Sequence, residues 1–185
     1  MQRKIVTIPA PVLRKTAKPV TFNGNSLSKK FKNIVKDLKE TAREQKDPES
    51  LGLAAPQIGE SFRVFIAKVE DEFIAFINPK IVEKSKSLYS QRVAEKERLL
   101  EGCLSIPGYY AFIDRPYSVT LRWQDETGKW QERKFSEKEA AYVQHEYDHL
   151  NGILFTDLAL AQKAKIYKTE KDQEGEETLV EIEWK

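Results

Sequence analysis

The single cysteine and both histidines of this chain fall inside two short motifs. Cys103 stands in Glu101-Gly102-Cys103-Leu104-Ser105, and the histidines stand in Gln144-His145-Glu146-Tyr147-Asp148-His149. The whole stock of soft metal ligands is therefore one thiolate and two imidazoles. Residues four apart on a helix share a face, so His145 and His149 can aim at a single ion. Glu146 follows the first of them, where its carboxylate can reach a water on that ion; this is the physical content of a His-Glu-x-x-His pattern. A catalytic metal site needs a third protein ligand and an open position. No third histidine exists, and a thiolate is a strong, soft ligand, so Cys103 is the candidate. Its segment, residues 101–108, reads as a turn able to present a side chain and a backbone N–H together. A lone cysteine is more often a buried apolar residue; the histidine pair reverses that reading. Two rivals share the helix motif. One is a zincin-like endopeptidase whose third ligand is a downstream carboxylate such as Asp157. The other is a binding protein with a closed structural metal site, which ordinarily takes four protein ligands.

The elements that must position these residues follow from pattern. Asn25 or Ser26 can cap a helix running to about Gln45, with Leu27, Phe31, Ile34, Val35, Leu38 and Ala42 as one apolar stripe. Asp47-Pro48 stops it. Residues 62–69 and 73–78 read as strands joined through Glu70-Asp71-Glu72, and residues 117–123 and 130–135 as a second pair joined through Asp125-Glu126-Thr127-Gly128. Ser136 with Glu139 is a capping-box signature opening the histidine helix, and Asn151-Gly152 ends it. The tail has a turn near Asp172 and Gly175, then an alternating run, so it reads as a terminal strand or hairpin. The charged stretch 92–98 fits no single element.

Composition sets the bounds. The chain has 185 residues, 40% hydrophobic and 32% charged, with net charge +2. We expect one domain over residues 1–185, able to bury a real core. The near balance of charge carries no footprint for DNA, while leaving room for a weak contact with ribosomal RNA. No apolar run approaches a membrane span. Residues 1–6 lack the apolar core of a signal peptide, and one cysteine makes no internal disulfide, so a cytoplasmic protein is expected.

Three segments together resemble the peptide deformylase family. That family is marked by Gly-x-Gly-Leu-Ala-Ala-x-Gln, then Glu-Gly-Cys-Leu-Ser, then Gln-His-Glu-x-Asp-His-Leu-x-Gly. This chain reads Ser50-Leu51-Gly52-Leu53-Ala54-Ala55-Pro56-Gln57, then residues 101–105 and 144–152 intact and in order. The resemblance implies an α+β fold, with antiparallel sheets packed around the central helix that carries the histidines. It implies a metal-dependent hydrolase that removes the formyl group from the initiator methionine of nascent polypeptides. Cys103, His145 and His149 would hold the metal, and Glu146 would act as general acid and base on a metal-activated water. The Gln57 side-chain amide and the Leu104 N–H would donate to the formyl oxygen as it gains charge. The implied metal is Fe²⁺, with Zn²⁺, Ni²⁺ or Co²⁺ able to substitute, and the implied partners are N-formylmethionyl peptides and nascent chains. Glu101 and Asp148 are either supports for the imidazoles or ordinary carboxylates. Leu51, Leu99 and Tyr142 are candidate walls for the methionine side chain, with Leu99 read first as core. One departure matters: the family usually has Gly where this chain has Ser50, in the stretch that lines its substrate cleft.

Overall fold

A computed structural model of the chain describes residues 2–24, 26–45, 50–172 and 175–184. A two-residue ribbon, β1 (Phe22–Asn23) with β2 (Ser26–Leu27), leads into α1 (Lys29–Glu44). Then come β3 (Gly52–Ala54), β4 (Val64–Val69), β5 (Glu72–Lys84), β6 (Leu100–Cys103), β7 (Ile106–Phe112), β8 (Ser118–Gln124) and β9 (Trp130–Ser136). Helices α2 (Glu137–His149) and α3 (Phe155–Gln162) follow, and the hairpin β10 (Ile166–Lys171) and β11 (Glu177–Ile182) closes the order. One sheet runs β3-β4-β5-β8-β9 and another β11-β10-β7-β6. Every ladder between named strands is antiparallel. Among the described residues no helix is long and apolar enough to cross a membrane.

The α+β reading holds, and α2 is the element the rest surrounds. It packs against β3, β4, β8 and β9, burying Ala140, Val143 and Leu150 in one cluster with Phe65, Phe76, Leu121 and Phe135. Phe76 is the hub of that cluster, stacked on Phe65 at 4.5 Å and tilted against Trp123 at 4.7 Å. The predicted stripe of α1 is buried through Phe31, Ile34, Val35, Leu38 and Ala42 against β3 and β4. A third cluster joins Ile106 and Ala111 of β7, Phe155 and Ala159 of α3, and Ile166 of β10.

Several boundaries differ from the sequence reading. The N-cap position of helix α1 is Ser28, which makes no side-chain cap bond; Ser26 lies in β2 opposite Asn23, and Asn25 and Asp47-Pro48 lie outside the described residues. Strand β5 runs on past Asn78 to Lys84. Asn78 has φ +50, and the register with β8 shifts there. Pro79, which has no N–H, is absorbed at that irregularity, as strand prolines usually are. Ser136 is the N-cap of α2 but makes no side-chain cap bond. It also ends β9, paired with Ser118, so the strand register fixes it. The Glu137 N–H is satisfied instead by the Tyr117 carbonyl at 2.9 Å. Helix α3 carried no sequence signal that set it apart.

The tail is the hairpin expected. β10 pairs with β7 and β11 with β10, turning what would be a marginal two-stranded ribbon into a four-stranded sheet. Trp184 meets the Tyr109 ring edge-on at 5.0 Å. Such a pair contributes ~0.5–1.5 kcal/mol beyond its buried area. Trp184→Ala is therefore expected to lower the melting temperature by about 1–6 °C in calorimetry; an unchanged melt would contradict the packing described.

Candidate metal centre

Cys103 ends β6, beside a register irregularity with β7 between Gly102 and Cys103. The segment expected as a turn is thus a β-hairpin whose connection is Leu104-Ser105. The irregularity re-aims the Cys103 side chain, as bulges near sites commonly do. Sγ lies 3.3 Å from His149 Nε2. The sulfur and one ligand atom from each of His145 and His149 all fall within 4.8 Å of one another. One soft sulfur and two imidazoles at that spacing fit a divalent metal with a position left open.

The charges around this cluster form a chain. His145 Nδ1–H donates to Glu101 Oε1 at 2.7 Å, which leaves Nε2 facing the cluster. Arg115 grips the same carboxylate with two bonds of 2.7 Å and reaches Asp148 Oδ2 at 2.8 Å. Arg115 is only 4% exposed. Burial alone would raise the Glu101 carboxyl, but Arg115 and then His145 outweigh it and hold it well below the usual range. Glu101 therefore stays ionised and fixes the His145 ring. Burial depresses the neighbouring His149 well below the ordinary histidine value. A neutral imidazole is the form that ligates.

Glu146 points into the same space. It is buried, and its Oε2 has no hydrogen-bond partner. Burial pushes its carboxyl up to about 7, against an opposing pull from His145. Gly52 makes room for it: a Cβ there would stand 2.6 Å from Glu146 Cγ and Oε1. Gln57 Oε1 accepts from the Ala54 N–H at 2.8 Å, so the amide end is fixed. Its Nε2 faces Ser105 Oγ at 3.4 Å and Cys103 Sγ at 3.5 Å. The amino-terminal segment ties these walls together, through Val6 N–H to the Gln57 carbonyl and Ile8 N–H to the Ser105 carbonyl.

A cleft of about 510 Å³ opens over this centre. Gln57, Cys103, Leu104, His145 and Glu146 all line it, as do Leu51, Leu99 and Tyr142. Leu99 is thus a cleft wall and not core; it is half-buried. His149 lies beneath, 1% exposed. Asp157 stands elsewhere: it is paired with Arg14 and accepts the Leu154 N–H at 2.8 Å. It therefore serves the start of α3, and the candidate metal-ligating group among the described residues contains no carboxylate. Sequence reasoning missed Arg115. Its partners are 14 and 33 positions away, and nothing local marks it beyond a charge next to an apolar run.

The family model for polypeptide deformylase matches residues 2–165. A peptide deformylase from Pseudothermotoga lettingae is 40% identical over 158 residues, covering 85% of this chain and 83% of that protein. The crystal structure of peptide deformylase from Thermotoga maritima is similar with a TM-score of 0.73 at 34% identity, covering 85% of this chain and 97% of that one. A Met-Ala-Ser-bound class I type b peptide deformylase from Acinetobacter baumannii gives a TM-score of 0.74 at 28% identity, with 85% and 98% covered. The chain belongs to the polypeptide deformylase family, hydrolases that remove the N-formyl group in a metal-dependent reaction.

Removing one partner of a buried charge network leaves the others uncompensated, at a cost of roughly 3–5 kcal/mol. Arg115→Ala should therefore lose stability on that scale in chemical denaturation. A loss under about 1 kcal/mol would show that the network is not desolvated as described.

Proposed function

We propose that Cys103, His145 and His149 hold the metal, that Glu146 is the general acid and base, and that Gln57 and Leu104 stabilise the developing oxyanion. The observation that carries this reading is the gathering of one sulfur and two imidazoles beside a buried, unpartnered carboxylate oxygen. When bound, the ion supplies Lewis-acid polarisation and brings the pKa of a water down toward about 7. Glu146 Oε2 takes a proton from the attacking water and later returns it to the departing amine nitrogen. A carboxyl pushed up to about 7 is suited to both tasks. Gln57 Nε2–H and the Leu104 N–H donate to the formyl oxygen as the carbon becomes tetrahedral. The Ala54 N–H on Gln57 Oε1 supports that role, because it costs no reorientation during reaction.

The substrate reading is an N-formylmethionyl peptide at the start of a nascent chain, processed in the cytoplasm. Leu51, Leu99 and Tyr142 would receive the methionine side chain in the cleft. The relative with bound Met-Ala-Ser supports a tripeptide with amino-terminal methionine as the occupant of this fold. A formyl carbon carries only hydrogen, so it can approach where a longer acyl group would clash with Gly52 and Glu146. The metal we assign in the cell is Fe²⁺, by family likeness. Zn²⁺, Ni²⁺ and Co²⁺ suit the same donors, and zinc binds such sites more tightly than ferrous iron. Residues 1–185 act as one catalytic domain, since both sheets contribute walls to the one cleft.

The test is formate release from formyl-Met-Ala-Ser by metal-defined samples kept under argon. Release with Fe²⁺ is expected, and none with any of the four metals would overturn the reading. Glu146→Ala should keep its metal while kcat falls by about 10²–10⁴; near-native turnover would remove the acid–base assignment. Gln57→Ala should cut kcat by roughly 10²–10³, and an effect confined to KM would contradict its role. Gly52→Ala should displace the Glu146 carboxylate and depress kcat without loss of the fold by circular dichroism; unimpaired turnover would mean that the close approach is not kept in solution.

A further inference from the structure

We propose that the Ser50 hydroxyl is a built-in competitor for the substrate's peptide backbone, and so weakens the binding of formylated peptides. The proposal rests on the deformylase reading above and extends it to a residue at which this chain departs from the family pattern.

The argument begins with the ladder. β3 is the edge of its sheet. The Lys68 N–H donates to the Leu51 carbonyl at 2.8 Å, and Leu53 stands opposite Ile66. In an antiparallel pair, bonded and non-bonded positions alternate. Gly52, opposite Ala67, is therefore a non-bonded position whose N–H and C=O point away from β4. Gly52 lines the cleft and abuts the Glu146 carboxylate. The other outward-facing N–H on this strand, that of Ala54, is taken by Gln57 Oε1. A peptide laid in extended form with its reactive end at Glu146 thus finds Gly52 as the edge group to pair with, in the manner of strand addition.

That carbonyl already has a donor. Ser50 Oγ–H reaches the Gly52 oxygen at 2.7 Å. Ser50 also walls the cleft and is 5% exposed, so water does not easily replace it. The hydroxyl satisfies the edge carbonyl while the cleft is empty, and an entering backbone N–H must displace it or share with it. Glycine at this position has no such donor. The N–H that competes belongs either to the formamide, because Gly52 stands against Glu146 where the reactive end lies, or to a peptide amide further along the substrate.

The experiment measures formate release by the full, metal-loaded chain. Substrates are formyl-Met-Ala-Ser and three analogues: two in which an ester oxygen replaces the Ala or the Ser amide N–H, and one in which an N-methyl group replaces the formamide N–H. A net hydrogen bond is at stake, so Ser50→Ala and Ser50→Gly should each lower KM for the peptide by about three- to tenfold, with kcat unchanged. With one of the three analogues, the difference between wild type and variants should vanish. An unchanged or raised KM in both variants would overturn the proposal, as would an advantage that persists equally with all three analogues. Absence of formate release by the wild type is a separate result; it would remove the deformylase reading and this proposal with it.

Discussion

The structure depends on a buried charge that is fully partnered. Arg115 enters the interior between the histidine helix and the strand that ends in Cys103, and it binds a carboxylate from each. Glu101 lies two residues before the cysteine, and Asp148 immediately precedes His149. One guanidinium therefore sets the distance between the sulfur-bearing strand and the imidazole-bearing helix. Its planar fork matches the Glu101 carboxylate with two parallel bonds, a geometry that lysine cannot reproduce. The interaction is costly to desolvate and costly to break. What it confers is register, because sliding β6 against α2 would part a buried guanidinium from both of its carboxylates.

From that clamp the chemistry propagates outward. Glu101 also accepts the His145 Nδ1–H and so decides which nitrogen faces Cys103 and His149. Gly52 leaves the space into which Glu146 projects. The Ala54 N–H orients Gln57. Each of these contacts fixes one polar group of a different element, and each is made before any substrate arrives. The site is pre-organised by the same hydrogen bonds that hold the two sheets and α2 together, so catalysis and folding stability share their parts.

Much of this was legible in the sequence, because the decisive features are local. Helical spacing placed His145 and His149 on one face, and Asn151-Gly152 marked where α2 stops; Gly152 indeed has φ +71. The apolar stripe of α1 and the alternation of the tail were equally local signals. What escaped was non-local or set by tertiary context. Arg115 gains its meaning only from partners contributed by β6 and α2. The β6–β7 hairpin looked like a turn because its glycines and proline suggest one, while its two strands pair with each other and β7 pairs on with β10. Ser136 looked like a capping residue, yet membership of β9 overrode that preference. Strand β5 outran its predicted end because a bulge accommodates Asn78-Pro79.

The direct test of the account is X-ray absorption at the metal edge of the anaerobically loaded protein, compared between wild type and Cys103→Ala. The account predicts one sulfur and two imidazole nitrogens from the protein in the wild-type spectrum, with the sulfur contribution gone in the variant. A wild-type spectrum fitted by nitrogen and oxygen donors alone would contradict it.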